Sequence, residues 1–157
     1  MTKTEIFQVL AGFVGSFGFA ILFNIRGKRL IAASIGGMLS WLVFVLLNKV
    51  IGNDVTAYFV VSALMSIYAE IMARKMKTPT TTFVITSLIP MIPGGSLYYT
   101  MVSVFRAEDG DFIQRATHTL ELASALALGV VLITTFARIF DNIKKIKLCP
   151  KGEISHK

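Results

Sequence analysis

Five long apolar runs, separated by short clusters of charge, constrain the fold of this chain more than any other feature. Each run approaches or exceeds the roughly 20 residues that an α-helix needs to cross a bilayer. In lipid the backbone must satisfy its own hydrogen bonds, and the runs are too long and too continuously apolar for barrel strands. The sequence therefore predicts an all-α integral membrane protein with spans at residues 6–23, 30–47, 55–73, 79–105 and 116–140.

Composition supports a membrane location. Charged residues make up 16% of the chain, against about 25% in an ordinary soluble domain. The first run is longer than the apolar part of a signal peptide and is followed directly by basic residues, so we interpret it as a span. We expect a five-helix transmembrane domain at residues 1–143 and a basic cytoplasmic tail at 144–157, in a multi-pass protein of the cell membrane.

The distribution of Lys and Arg predicts the orientation. Five spans put the connecting segments on alternating sides, and twelve of the sixteen basic residues fall on one side. Because basic residues concentrate in cytoplasmic segments, the N-terminus is predicted outside and the C-terminus in the cytoplasm. Nucleic acid is not an expected partner, since no basic helix with interleaved aromatics is present. The twelve residues are Arg26, Lys28, Arg29, Arg74, Lys75, Lys77, Arg138, Lys144, Lys145, Lys147, Lys151 and Lys157.

The fourth run is interrupted near its middle by PMIPGG at residues 90–95. Pro90 and Pro93 each lack a backbone donor and clash with the preceding turn, while Gly94 and Gly95 accept backbone angles that other residues resist. We therefore predict that this helix breaks near mid-membrane. The backbone groups freed by the break must be satisfied by protein or by a watery cavity.

The half-helix after the break predicts a substrate site. Its N-terminus carries partial positive charge, and discontinuous helices in transporters hold a substrate carboxylate in this way. We expect residues 94–96 to hold the carboxylate of the solute; the alternative is a structural kink packed against its neighbours. The residues expected to shape the break or contact the solute are Asn24, Pro90, Pro93, Gly94, Gly95, Ser96 and Tyr98.

A polar stripe runs along the third span at four-residue spacing, through Tyr58, Ser62, Ser66 and Glu70. The stripe stays broadly on one side of a helix, so it is predicted to face the protein interior. Glu70 lies near the cytoplasmic end, where a carboxylate costs less than at the membrane centre. We assign it a proton-coupling role; the alternatives are a salt bridge to Arg74 one turn on, or an interfacial carboxylate.

Small residues recur at helix-packing spacing in the first, second and fifth spans. Such patterns let helix backbones approach closely, which predicts tight packing, with a sliding surface between moving bundles as the alternative. The residues are Gly12, Gly15, Gly18, Ala32, Ala33, Gly36, Gly37, Ala123, Ala125, Ala127 and Gly129.

Two local polar patterns mark helix starts. Thr78 followed by Pro79 predicts that Thr78 is the N-cap of the fourth span, with the proline in its first turn. His118 and Glu121 lie three residues apart at the outer start of the fifth span, where one helical face holds both. We interpret them as an exposed helix-start pair; the alternative is a point where a proton enters.

Patterns that would indicate catalysis are missing from the sequence. There is no phosphate-binding glycine loop, no HExxH and no GxSxG, so we expect no enzyme activity and no cofactor. His118 and His156 are far apart and lack cysteine partners, which argues against a metal site. Cys149 is the single cysteine, so an intrachain disulfide is excluded and a free thiol is expected.

Three sequence motifs occur in the order found in one family. GFAILFN at residues 18–24, followed by a basic loop and two glycines, resembles the opening of the small membrane subunit of threonine/serine exporter family proteins. AEIMARKMKTP at residues 69–79 and IPMIPGGSLY at residues 89–98 resemble its middle, and IPxxPGG is fairly specific. Thr86-Ser87 departs from the Pro-Gly of the family pattern, which predicts a less broken beginning of the fourth span.

The resemblance implies a function that composition does not. In the family this half pairs with, or is fused to, a larger membrane subunit, and members export threonine and serine or succinate-type dicarboxylates. We therefore expect a half-transporter subunit, working beside a larger partner of inverted topology, that exports a small carboxylate-bearing metabolite by proton antiport. The alternative is a non-transporting scaffold subunit that stabilises the partner. An intramembrane enzyme is weaker, because no nucleophile–base pair is visible.

Overall fold

The computed structural model describes residues 3–105 and 109–148, without the side chains of 109–111 and 144–148. In this part of the chain α-helices follow one another, joined by short turns, and no strand occurs. They are α1 (Lys3–Leu22), α2 (Lys28–Ile51), α3 (Asp54–Met76), α4 (Thr80–Leu88), α5 (Gly94–Phe105) and α6 (Asp109–Leu148).

The lengths of these helices confirm the predicted membrane fold. Among the described residues α1, α2, α3 and α6 are each long and apolar enough to cross a bilayer. The pair α4 and α5 passes the same test together but is bent by 53° at the break between them, which gives a fifth candidate span. Thr86 and Ser87 lie inside α4, so the beginning of this span is a regular helix.

The ends of the helices follow from local chemistry. After α1, Asn24 adopts a left-handed conformation with φ 56°, and Ile25 N–H bonds to the Ala20 carbonyl oxygen at 2.9 Å. Together with the bond from Asn24 N–H to the Ile21 carbonyl, this is a Schellman motif. Asn53 caps α3, because its side chain accepts from two backbone N–H groups of the first turn.

The start of α4 differs from the prediction. The N-cap is Pro79 and not Thr78, and the helix begins at Thr80. The Thr78 hydroxyl is buried without a hydrogen-bond partner in the structure. The preceding turn explains the difference: Lys77 is left-handed with φ 50°, and Thr78 N–H bonds back to the Ala73 carbonyl at 3.1 Å, so Thr78 still belongs to the end of α3.

Helix α6 is longer at both ends than the predicted span of residues 116–140. It runs from Asp109 to Leu148, so residues 144–148 of the predicted tail are helical. The remaining tail, 149–157, and residues 106–108 of the outer connection lie outside the described residues. The additional residues at the C-terminal end, DNIKKIKL, contain neither Gly nor Pro, and three Lys and one Leu among them are good helix formers, so the helix can continue past the apolar stretch.

Helix α6 lies beside α3 and runs parallel to it. Gly129 approaches Ser62 and the Phe59 carbonyl oxygen so closely that an added Cβ would lie 2.8 Å from that oxygen. About three turns nearer the basic end, Arg74 pairs with Asp141. The polar stripe of α3 lies in this packed interior, where Tyr58, Ser62 and Ser66 are buried as predicted.

Some of the small residues lie in close contact with a neighbouring helix, as predicted, and others do not. A Cβ at Gly37 would clash with the Ser16 side chain, and one at Gly36 with the Ser87 side chain. These contacts bind α1 and α4 tightly to α2. A Cβ at Gly15 or Gly18 would meet nothing within 4 Å, so these two glycines do not pack against any described part of the chain.

Candidate functional site

The break between α4 and α5 is built from residues 89–93. Ile89–Met91 form one 3₁₀ turn, and Ile92 N–H donates to the Ile89 carbonyl oxygen at 3.2 Å. Pro90 and Pro93 donate no backbone hydrogen bond, so the α-helical ladder cannot continue through them. Gly94 N–H donates to the Ile92 carbonyl oxygen at 2.6 Å, and a new helix starts there in a different direction.

One side of the break packs on α1 and α2. The Pro90 ring lies 3.6 Å from the position of a Cβ at Gly12, and Met91 is fully buried. Beside this contact is a cavity of about 280 Å³, with Pro90, Trp41 and Gly15 among its lining residues. The break therefore borders an open, mostly apolar depression at the surface of the bundle, with exposed Gln8 and Gly15 in its lining.

The N-terminus of α5 faces away from the bundle centre. Gly94 and Gly95 are exposed, and nothing in the described chain lies within 4 Å of a Cβ added at either. The side chain of Tyr98 is also turned outward, with 64% of the residue exposed. The start of α5 is thus accessible to a ligand or to a partner, although the Gly94 N–H is already bonded to the Ile92 carbonyl oxygen.

Ser96 points toward α6 and joins a cluster of hydroxyl groups. Its Oγ lies 2.7 Å from Thr119 Oγ1, which is itself 3.0 Å from Thr100 Oγ1. Ser96 also lines a cavity of about 390 Å³, together with Tyr99, Gln114, Arg115 and His118. A polar chamber therefore lies next to the start of α5, between α5 and α6.

His118 lies at the edge of this chamber. Its Nδ1 is 3.9 Å from Glu121 Oε2, and both side chains are about half exposed or more, at 46% and 61%. The exposure is as predicted, but the pair does not lie at a helix start, because α6 begins at Asp109, nine residues before His118. His118 nevertheless lines the same cavity as Ser96, which the sequence spacing did not indicate.

Glu70 connects three helices at the other end of the bundle. One carboxylate oxygen accepts from Thr80 Oγ1 at 2.9 Å, and the other from Arg74 Nε at 2.9 Å. Arg74 Nη1 also pairs with Asp141 Oδ1 at 2.8 Å, which links α3 to α6. The Glu70 side chain retains 20% exposure and lines an open cavity of about 440 Å³, so water reaches it.

The sequence analysis missed several of these partners. Thr80, Thr119 and Asp141 are short polar side chains near the ends of the predicted spans, where such residues are ordinary. Trp41 is the one tryptophan of the chain and lies inside an apolar run, and Gln8 is a lone amide in the first run. A polar group inside an apolar run could therefore have marked both Trp41 and Gln8 as candidate lining residues.

Not all predicted site residues meet. Pro90, Pro93, Gly94, Gly95 and Ser96 are contiguous at the break, as their spacing requires. Asn24 lies beyond the end of α1, where its side chain accepts from Arg26 Nε at 3.0 Å. It is twelve residues from the Gly12 contact with Pro90, or about 18 Å along a helix. Glu70 likewise is separated from the break by the length of α4, about 13 Å.

This architecture defines a class, the multi-pass membrane proteins with one discontinuous span. A family model described as "Threonine/Serine exporter, ThrE" matches residues 8–136. The chain therefore belongs to the threonine/serine exporter (ThrE) family, and it is a transporter subunit of that type in a lipid bilayer. No curated relative and no solved structure matches the chain at a significant level.

Proposed function

We propose that this chain is one half of an exporter for a small carboxylate-bearing metabolite, threonine or serine first and a succinate-like dicarboxylate second. It works in the cell membrane with a larger subunit of the same family and uses a proton gradient. The observation that carries the proposal is the break at residues 89–93, which exposes the N-terminus of α5 within a membrane span. The chain belongs to a family of threonine/serine exporters, which supports a transport role for this break.

The chemistry of the α5 start supports carboxylate binding. We propose that the N–H groups of Gly95 and Ser96, together with the helix dipole, stabilise a negative group placed there, while Gly94, whose N–H is bonded to the Ile92 carbonyl, lets the group approach the backbone. The Ser96 hydroxyl offers a further donor, since the Thr119 hydroxyl beside it already donates to the Arg115 carbonyl oxygen. Tyr98, on the outward face of α5, is proposed to contact the solute in the assembled complex, and Asn24 is proposed to act near the basic end.

The contacts of Glu70 support proton coupling. The carboxylate holds Thr80, the first residue of α4, and shares Arg74 with Asp141. Protonation removes the charge that Arg74 pairs with and weakens the acceptor for Thr80. A proton on Glu70 would therefore loosen the attachment of the broken span to α3, which is the kind of change that alternating access requires.

The exposure of α5 supports a partner. Helix α5 packs mainly against α6, and its other faces carry exposed Leu97, Tyr99, Met101 and Val104. A larger subunit of inverted topology would cover such a helix and complete a site shared between two halves. Lipid accounts for exposed apolar side chains as well, so assembly must be measured directly.

The deciding experiment is efflux of labelled threonine, serine and succinate from cells. Cells would produce this chain alone, this chain with the large subunit of its family, or neither. Efflux that requires both chains is the expected result, and the preferred solute identifies the substrate. If both chains co-purify from the membrane and none of the three solutes leaves the cells faster, the scaffold function replaces the half-transporter.

A further inference from the structure

The cavity of about 440 Å³ that Glu70 lines opens at the basic end of the bundle and is formed by residues of α3, α4 and α6. Along α6 it extends inward from Asp141 to Val130, eleven residues or about 16 Å, which is roughly half the thickness of a bilayer core. On α4 its inner limit is Ile85, one helical turn before Ile89, where the break begins. The cavity therefore leads from the basic end of the bundle toward the break.

The lining of this cavity is apolar inside and charged outside. Along α6 the lining residues are Val130, Thr134, Arg138 and Asp141, which follow one another at a spacing of three or four residues on one helical face. A hydroxyl group thus lies one turn inside two side chains of opposite charge. Thr81 of α4 adds a second hydroxyl to the lining, and its side chain is exposed.

Two carboxylates at the outer part of the cavity share one guanidinium group. Arg74 Nε donates to Glu70 at 2.9 Å, and the two terminal nitrogens of Arg74 each lie 2.8 Å from one oxygen of Asp141. When both carboxylates are ionised, these three side chains carry one more negative charge than positive charge. The Asp141 side chain is 43% exposed, and a carboxylate oxygen accepts more than one hydrogen bond. An ammonium group in the cavity would balance the charge of this cluster.

Arg138 supplies the opposite charge to the same cavity. It lies one turn before Asp141 on α6, but Asp141 is turned toward Arg74, and Arg138 makes no ion pair within the described part of the chain. A guanidinium group holds a carboxylate through two parallel hydrogen bonds. An α-amino acid carries its carboxylate and its ammonium on one carbon atom, so it matches an unpaired arginine beside an anionic cluster. A dicarboxylate brings a second negative charge toward Glu70 and Asp141, which repel it.

We propose that this cavity is the site where the exported solute first binds, and that it selects a zwitterionic α-amino acid. Arg138 holds the carboxylate, and the cluster of Glu70, Arg74 and Asp141 holds the ammonium. The side chain of the solute points inward, where Thr134 Oγ1, which itself donates to the Val130 carbonyl oxygen, accepts from a hydroxyl group. This inference rests on the proposed transport function. It adds a loading site at the end predicted to be cytoplasmic and narrows the substrate class to amino acids.

Substitution of Arg138 tests the carboxylate contact. In the complex of both subunits, Arg138→Gln is expected to raise the apparent KM for threonine export about tenfold or more, as loss of a hydrogen bond between charged groups does. Arg138→Lys keeps the charge but not the two-bond geometry, so its KM should lie between the two. The control is Lys75→Gln, which removes a positive charge from an exposed side chain at the same end, outside the cavity, and should leave KM unchanged. An unchanged KM in Arg138→Gln would overturn the loading site.

Thiol labelling tests binding without transport. Thr134→Cys and Thr135→Cys, each in a Cys149→Ser background that removes the one native cysteine of the chain, place a thiol on adjacent residues, of which only the first lines the cavity. The complex, with a cysteine-free large subunit, would be held in lipid nanodiscs. Excess threonine should slow the reaction of Thr134→Cys with a small thiol reagent several-fold and leave that of Thr135→Cys unchanged.

Two further probes test the ammonium contact in the same assay. Succinate and N-acetylthreonine carry a carboxylate but no ammonium, so neither should protect Thr134→Cys at a concentration at which threonine does. Protection by either of them equal to that by threonine would overturn the selection of a zwitterion.

These measurements separate the loading site from the transport function. If a Thr134→Cys complex still exports threonine but threonine does not slow its labelling, the loading site is wrong and the transport function stands. Absence of export of threonine, serine and succinate by the unsubstituted complex, in contrast, would overturn the transport function itself.

Discussion

Thr80 Oγ1 donates a hydrogen bond to Glu70 Oε2 over 2.9 Å, and this contact attaches the first residue of the broken span to α3. The same carboxylate pairs with Arg74, which in turn reaches Asp141 of α6. Glu70 is therefore the common partner of the groups that hold α3, α4 and α6 together at the basic end of the bundle.

Replacing Glu70 by Gln should uncouple export from the proton gradient. The amide oxygen still accepts from Thr80, but the charge that pairs with Arg74 and that a proton would neutralise is gone. We expect export driven by an imposed pH gradient to fall to the rate measured without a gradient. Asp141→Asn is the control, since it removes the other carboxylate beside Arg74 and keeps Glu70. If export by the Glu70→Gln variant still responds normally to the pH gradient, Glu70 has a structural role and no role in proton coupling.

Restoring the helix at the break should abolish export. In the double variant Pro93→Ala/Gly94→Ala, a backbone donor returns and the flexible glycine is lost, so the helix gains a route through the break. Membrane insertion and assembly should persist, because both residues lie away from the packed core. Gly18→Ala serves as a control at an open helical glycine. Normal efflux from the double variant would show that the break is not part of the substrate site.

Ser96 and Thr119 share one hydrogen bond, which allows their roles to be separated. If Ser96 also binds the solute carboxylate, Ser96→Ala should raise the apparent KM for threonine about tenfold or more, as loss of a hydrogen bond to a charged group does. Thr119→Val removes the same contact between α5 and α6 and leaves the Ser96 hydroxyl free. An equal rise in both variants would mean that the hydroxyl pair only fixes α5 on α6.

Gly129→Ala should destabilise the folded chain. The added methyl group meets Ser62 and lies 2.8 Å from the Phe59 carbonyl oxygen, and a backbone atom cannot move aside cheaply. Overpacking of this kind costs about 1–3 kcal/mol and outweighs the gain of about 1 kcal/mol from helix propensity. Thermal unfolding in detergent should show a lower Tm, while Gly18→Ala, at an open position, should not lower it.

The orientation predicted from basic residues has its own test. Five crossings put the two ends on opposite sides, with the C-terminus in the cytoplasm. A reporter that is active only in the cytoplasm should work when fused after Lys157 and fail when fused before Met1. The reverse pattern would invert the predicted topology.

Local chemistry made the spans and the break predictable. Apolar run length sets which segments lie in lipid, and Pro90, Pro93, Gly94 and Gly95 interrupt a helix whatever surrounds them, because the cause lies in their own backbone. The burial of the polar stripe of α3 followed in the same way from spacing along one helix. These features needed no knowledge of which helices are neighbours.

Contacts between distant segments were decided only by the tertiary structure. The sequence could not show that Glu70 bonds to Thr80 and, through Arg74, to Asp141, since these partners depend on how α3, α4 and α6 pack. The local pattern at Thr78 predicts an N-cap, but its backbone N–H bonds to the Ala73 carbonyl oxygen and so belongs to the turn that ends α3. Small residues likewise permit either a close approach or an open surface, and only the neighbouring helix decides which: a Cβ at Gly36 would clash with Ser87, whereas one at Gly15 would meet nothing within 4 Å.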